Sequence, residues 1–312
     1  MNFGNDITKK LLSEIATGLT DVGVEFKGAL NIRENGGCAE RRSSANIRIS
    51  DKKDNPGIDI RVLPGTKGET VFIPACVTTD GFADLVYNDF YIGEGADVLV
   101  VAGCGIHSDG ESEARHDGIH RFFLEKGARV RYEEKHLGSG NGSGERNIDP
   151  VTEAFLAEDS YLEMNTEQIG GVDHSVRKTK VTLDAGARLV IREKLLTNGE
   201  DFADSDFYVE LNGDGSSADI ISRAVARGNS KQGYTSTMIG NAVCSGHSEC
   251  DAIIDGNASV SAAPGLVANN QDASLIHEAA IGKIAGEQIL KLRTLGLTED
   301  EAVAQIIEGF LS

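Results

Sequence analysis

"LEKGARVRYEEKHL", residues 124–137, and "LDAGARLVIREKLL", residues 183–196, agree at the first Leu, Gly-Ala-Arg, Glu-Lys and the last Leu, all at an offset of 59. A weaker echo, "LAEDSYLEM", starts at Leu156, 32 residues after Leu124, and "GEGADVLV" places Gly95 32 residues before Gly127. Each copy is a glycine turn followed by residues alternating between apolar and polar, the period of a strand. Units of ~27–32 residues with no helix between them cannot bury their own faces, so they stack. The pattern predicts a mainly β chain, a right-handed parallel β-helix. An antiparallel sandwich with chance similarity is the alternative.

Outward from this repeat, the same period runs from about residue 45 to 281, through "NIRIS", "IDIRV" and "ADVLVV". The 37 glycines in 312 residues suit many tight turns. "GSGNGSGE", residues 138–145, reads as the most flexible loop and an excursion from the sheet. Both ends change period. Ile7, Leu11, Ile15 and Leu19 recur at helical spacing behind Asp6, predicting a helix over 5–22. Ile281, Ala285, Ile289, Leu292 and Leu295 share a helical face that Gly296 ends, and Thr298 with Glu301 forms a capping box. A second helix then carries Ala302, Val303, Ile306, Ile307 and Phe310. The chain divides into a lead-in with its helix (1–44), the β-helix (45–281) and a helical hairpin (282–312). The hairpin is expected to cap the open end of the stack, to dock a partner through Ile289, Leu292, Leu295, Ile306 and Phe310, or to do both.

The formal net charge of −19 argues against nucleic acid or an anionic membrane as partner. No signal peptide and no apolar run of ~18 residues is evident, which predicts a cytoplasmic protein. Five scattered cysteines read as free thiols or ligands rather than a disulfide framework.

The richest segment chemically is "NAVCSGHSECDAIIDG", residues 241–256. Cys244, His247 and Cys250 are spaced as a metal site would space them. In a strand, however, the two cysteines stand roughly 20 Å apart and His247 points the other way. Cys250, Ala252 and Ile254 share a face, so Cys250 reads first as a core thiol. In "DASLIHEAAIGKIAGEQ", residues 272–288, the same parity puts His277 and Glu278 on opposite faces. One is expected to serve its own coil and the other to face a neighbouring chain. In residues 104–120, Cys104, His107, His116 and His120 read as structural, with a metal site the lesser reading.

The segments "GNSKQGYTSTMIGNAVCSGHSECDAIIDG", residues 228–256, and "LIHEAAIGKIAGEQILKLRTLGLTEDEAVAQIIEGFL", residues 275–311, resemble the core of the SufB/SufD family of iron–sulfur cluster assembly proteins. The resemblance implies a parallel β-helix ending in helices that bind the ABC-type ATPase SufC. It also implies pairing of two SufB/SufD-type chains, as homodimer or heterodimer, with a transient cluster built near their interface. By position, Cys250 matches the cysteine proposed to act in nascent cluster assembly, and Glu278 and His277 match the family's glutamate and histidine; Cys244 and His247 are secondary candidates. One thiolate beside imidazole and carboxylate would hold iron less durably than four thiolates. The expectation is a scaffold, not an enzyme, whose ATP hydrolysis belongs to SufC. A SufD-like partner that orients SufC without ligating iron is the alternative. A carbohydrate enzyme ranks last, and a flavin has no support in the sequence.

Overall fold

In the computed structural model, which describes residues 6–16 and 28–311, the chain winds between two facing sheets of parallel strands, a β-solenoid of about 8 turns. Neighbouring strands within each sheet come from successive turns. In the first sheet Arg129, Tyr161, Arg188, Ser217, Ser245 and Ser274 stand in one row, spaced 32, 27, 29, 28 and 29 residues apart. The repeat is therefore one coil, and the 59-residue offset is two. Leu124, Leu156 and Leu183 stack in a single column of the second sheet. Parallel pairing excludes the sandwich. Among the described residues, antiparallel pairing occurs only at the start, between Gly28–Glu34 and Gly37–Arg42 and between Ile47–Asp51 and Gly57–Val62. Gly28–Glu34 already pairs in parallel with Lys67–Val77, so the sheet begins ahead of residue 45.

Helix α1 spans Asp6–Ala16; residues 5 and 17–22 of the predicted helix, Leu19 among them, lie outside the described residues. It lies on the first sheet because "GCG" there is nearly flat. A Cβ on Gly103 or Gly105 would stand 2.7 Å from Ile15 or 3.0 Å from Leu11.

The "GSGNGSGE" loop is no excursion. Its Gly142 and Gly144 N–H groups donate to the Ser108 and Gly110 carbonyls of the preceding coil, and a Cβ at Gly142 would meet the Gly110 oxygen at 2.2 Å. The glycines are there for close backbone stacking, not for freedom.

At the C-terminus, α2 (Gly286–Thr294) and α3 (Glu299–Leu311) form the hairpin. Gly296 takes φ 99°, and Glu301 and Thr298 exchange the capping-box bonds. Ile281 belongs to the last strand, Ser274–Gly282, not to the helical face. The hairpin does not cap the stack. Ile307 and Leu311 pack on Leu196, Val225 and Ile253, a row across the outer face of the first sheet. The final strands, Ser259–Ala268 and Ser274–Gly282, remain the outermost of their sheets, with Leu266, Val267 and Ile276 exposed. Burial of α3 uses part of the predicted docking face, since Phe310 joins that packing. In α2, Ile289 and Leu292 are half-buried, while Leu295 and the unanticipated Leu290 are 76% and 61% exposed.

Candidate functional site

The last two coils carry the candidate residues. Ser245–Ile254 and Ser274–Gly282 run parallel, pairing Ser248 with His277, Glu249 with Glu278 and Cys250 with Ala279. Alternation sends Ser248 and Cys250 inward, and His247, Glu249 and Asp251 outward. It likewise sends His277 inward and Glu278 outward. Parity in the sequence anticipated this. Its consequence is that Cys250, His277 and Glu278 do not converge on one point within a chain: the thiol and imidazole share the inner face, and the carboxylate lies on the other side of the sheet.

On the inner face Cys250 is 1% exposed. Burial, with the negative charges of Glu193 and Asp251, pushes its thiol up to about 12. Ser222, its neighbour in register, donates to Glu193 at 2.7 Å, as does Ser205. Glu193 lies 3.6 Å from Arg177, which donates to Glu134 at 2.7 Å. Tyr132 also donates to Glu134, and accepts from His120 Nδ1. A buried polar chain thus runs through the solenoid core to the side of Cys250. His277 sits opposite Ser248, whose hydroxyl bonds Ser236 and Tyr234. Neither buried ring nitrogen of His277 has a hydrogen-bond partner among the described residues. Buried polar groups are nearly always satisfied; further along the solenoid Thr166 and Thr179 each leave a hydroxyl without a partner among the described residues, and His277 leaves both ring nitrogens so. Cys244 is a core thiol, packed beside Gly240 and raised by burial. It does not gather with His247 and Cys250.

On the outer face one ligand atom each from His247, Glu249 and Glu278 lies within 4.8 Å of the others. His247 Nδ1 donates to Asp219 at 2.8 Å, and its Nε2 is 3.5 Å from Glu278. The Asp219 hydrogen bond, and then Glu278, raise the imidazole above its ordinary value. Burial and the adjoining Asp251 raise Glu249. Sequence reading missed Glu249 and Asp219. The signal was available as the i, i+2 spacing of His247 and Glu249 and the 29-residue coil linking Glu249 to Glu278.

The 104–120 segment lies in the early coils, apart from the last two. Cys104, His116 and His120 face a cavity of about 280 Å³ near the start of the solenoid. His116 donates to Asp84 at 3.2 Å, and Arg33 grips the same carboxylate twice at 2.7 Å. Burial would raise Asp84, but Arg33 and His116 outweigh it and hold the carboxyl far below the carboxylate range. Burial pushes His120 down to about 4. His107 lies apart, bonded to Ser139 and Asp109.

Fold and site together define a β-solenoid that carries a thiol, two imidazoles and paired carboxylates on its outermost coils. Residues 84–310 match the family described as SUF system FeS cluster assembly, SufBD core domain, and the chain belongs to that family. It is 30% identical over 263 residues to an iron–sulfur cluster assembly SufBD family protein of Methanothermobacter thermautotrophicus, covering 82% of this chain and 62% of the relative. A namesake from Archaeoglobus fulgidus is 30% identical over 271 residues, covering 85% and 70%. One from Pyrococcus horikoshii is 27% identical over 316 residues, covering 99% and 88%. The chain thus spans less than two thirds of the Methanothermobacter relative's length. No helix among the described residues is long and apolar enough to cross a membrane.

Proposed function

We propose that this chain is a scaffold for iron–sulfur cluster assembly, holding iron and sulfide as cargo at its last coil and passing them on. The observation that carries this reading is the unpartnered His277 imidazole, on the same inner face as Cys250 and at the open end of the stack. A soft thiolate and a borderline imidazole suit iron and leave coordination positions for sulfide or a second chain. The unpaired edges of Ser259–Ala268 and Ser274–Gly282 suit pairing with a second SufBD-type chain. The exposed Leu290 of α2 and Leu295 just past its end suit docking of a SufC-type ABC ATPase, to which ATP hydrolysis would belong. Anaerobic reconstitution with iron and sulfide tests the scaffold: Cys250→Ala and His277→Ala should each lower cluster absorbance severalfold. Equal absorbance in wild type and both variants refutes it. Deleting residues 284–312 should abolish capture of SufC.

A second reading, a SufD-like partner that orients the ATPase without ligating iron, draws support from the Cys250 thiol, which is buried and pushed up to about 12.

A further inference from the structure

We propose that His247, Glu249 and Glu278 form a binding site for a single divalent cation on the outer face of the first sheet, of the borderline class that includes Fe²⁺, Mn²⁺, Co²⁺ and Zn²⁺. The site shares Glu278 with the ligand set that the resemblance implies but uses neither Cys250 nor His277, so it is tested separately from the scaffold reading.

Three features set it apart from an ordinary surface cluster. First, the backbone fixes it. Glu249 and Glu278 are register partners on adjacent parallel strands, and His247 lies one step along the same face as Glu249. The three ligand atoms already lie within 4.8 Å of one another. A metal with bonds of about 2.0–2.2 Å needs them roughly 3–3.5 Å apart, a closure that side-chain rotation of the exposed Glu278 can supply. Second, the imidazole is oriented from behind. Asp219, the register partner of His247, accepts its Nδ1–H at 2.8 Å. That leaves Nε2 toward Glu278, 3.5 Å away, in the carboxylate–histidine arrangement that orients metal ligands. Third, charge is unbalanced. Glu249 and Glu278 stand side by side, where like charges repel, with Asp251 and Asp219 adjoining. The cationic groups facing them are His247 itself and Arg223, the register partner of Asp251, whose guanidinium also donates to the Phe310 carbonyl. A divalent ion would relieve the repulsion and could keep waters in its open positions. One nitrogen and two carboxylates favour borderline metals over Ca²⁺ or Mg²⁺, which prefer all-oxygen shells.

The test is a Co²⁺ titration of the full-length, chelator-treated, cluster-free protein, followed by visible absorbance and calorimetry. Wild type should bind one equivalent. His247→Ala and Glu249→Gln should each weaken binding at least tenfold, and Asp219→Asn about tenfold or more. These exposed or half-exposed changes should leave the circular dichroism of the fold unchanged. Cys250→Ser should bind as wild type does. The proposal is overturned if wild type binds no Co²⁺, if His247→Ala and Glu249→Gln bind as tightly as wild type, or if binding is lost in Cys250→Ser and kept in His247→Ala.

Discussion

Cys250 should be one of the least reactive thiols in the native protein, and the size of the effect follows from its surroundings. Its side chain is 1% exposed. Its thiol is pushed up to about 12, by burial first and then by Glu193 and Asp251. At pH 8 an ordinary thiol titrating near 8.5 is about a quarter thiolate, whereas one titrating near 12 is roughly one part in ten thousand ionised. Since the thiolate is the nucleophile, ionisation alone slows alkylation by roughly three orders of magnitude, and steric closure adds to this. The assay is time-resolved iodoacetamide labelling of the native protein, with each cysteine peptide quantified by mass spectrometry. Cys38, the exposed thiol, should be modified first; Cys250 should follow the slow global opening of the fold. Labelling of Cys250 within tenfold of the Cys38 rate would refute the reasoning. On the proposed scaffold reading, iron or sulfur would reach Cys250 only after the last coil opens, or when a metal displaces the thiol proton.

Replacing Arg177 by Met leaves Glu134 and Glu193 buried without their guanidinium and should cost about 3–5 kcal/mol. Adding Glu134→Gln should recover part of that in urea unfolding, and a cost under about 1 kcal/mol for the single variant would contradict the buried pairing. Acid should weaken the fold through His120, whose folded value lies at about 4. As pH falls below about 6.5 the unfolded chain takes the proton that the folded state refuses, so stability drops by up to about 3 kcal/mol until about pH 4 and then levels. A His120→Asn variant should lose this part of the slope. Gly142→Ala, whose Cβ would overlap a backbone carbonyl, should cost about 1–3 kcal/mol. Gly309→Ala, in α3 with open space around its Cβ position, should gain up to about 1 kcal/mol; equal effects at the two sites would disprove the loop stacking.

The coil was legible because stacking repeats its demands. Leu124, Leu156 and Leu183 occupy one column, so the sequence pattern at those positions states the architecture directly. The opposite facing of His277 and Glu278 was legible for the same reason: strand parity is a local property. What parity cannot supply is the pairing between coils. Glu249 reads alone as a surface carboxylate until the 29-residue register sets it beside Glu278. Arg177 and Glu134 are both buried, and the partner that neutralises each comes from the adjoining coil, where no local pattern announces it. The "GSGNGSGE" loop misled because glycine serves two ends, mobility and close approach, and only the neighbouring chain decides between them. The hairpin's destination was hidden likewise, since the same apolar helix face fits a sheet flank or an open end.

The position of the chemistry follows from the topology. Inside a solenoid every inward polar group has a coil above and below it, and the chain can satisfy it from both, as Ser222, Ser205 and Arg177 do for Glu193. At the terminal coil one of those neighbours is missing. His277 has Ser248 beneath it, but that hydroxyl is already committed to Ser236 and Tyr234, and after Gly282 the chain leaves the solenoid for the hairpin. A polar inward group placed there costs stability in the isolated chain and regains it only when something arrives from outside. The last coil is therefore a place in this fold where an inward side chain can be kept ready for a ligand or a second chain. A substitution that removes the unmet polar group, His277→Leu, should raise stability while lowering cluster loading in the reconstitution assay. A stability loss in His277→Leu, measured by urea unfolding of the isolated chain, would show that the imidazole is already satisfied and would remove the basis for this argument.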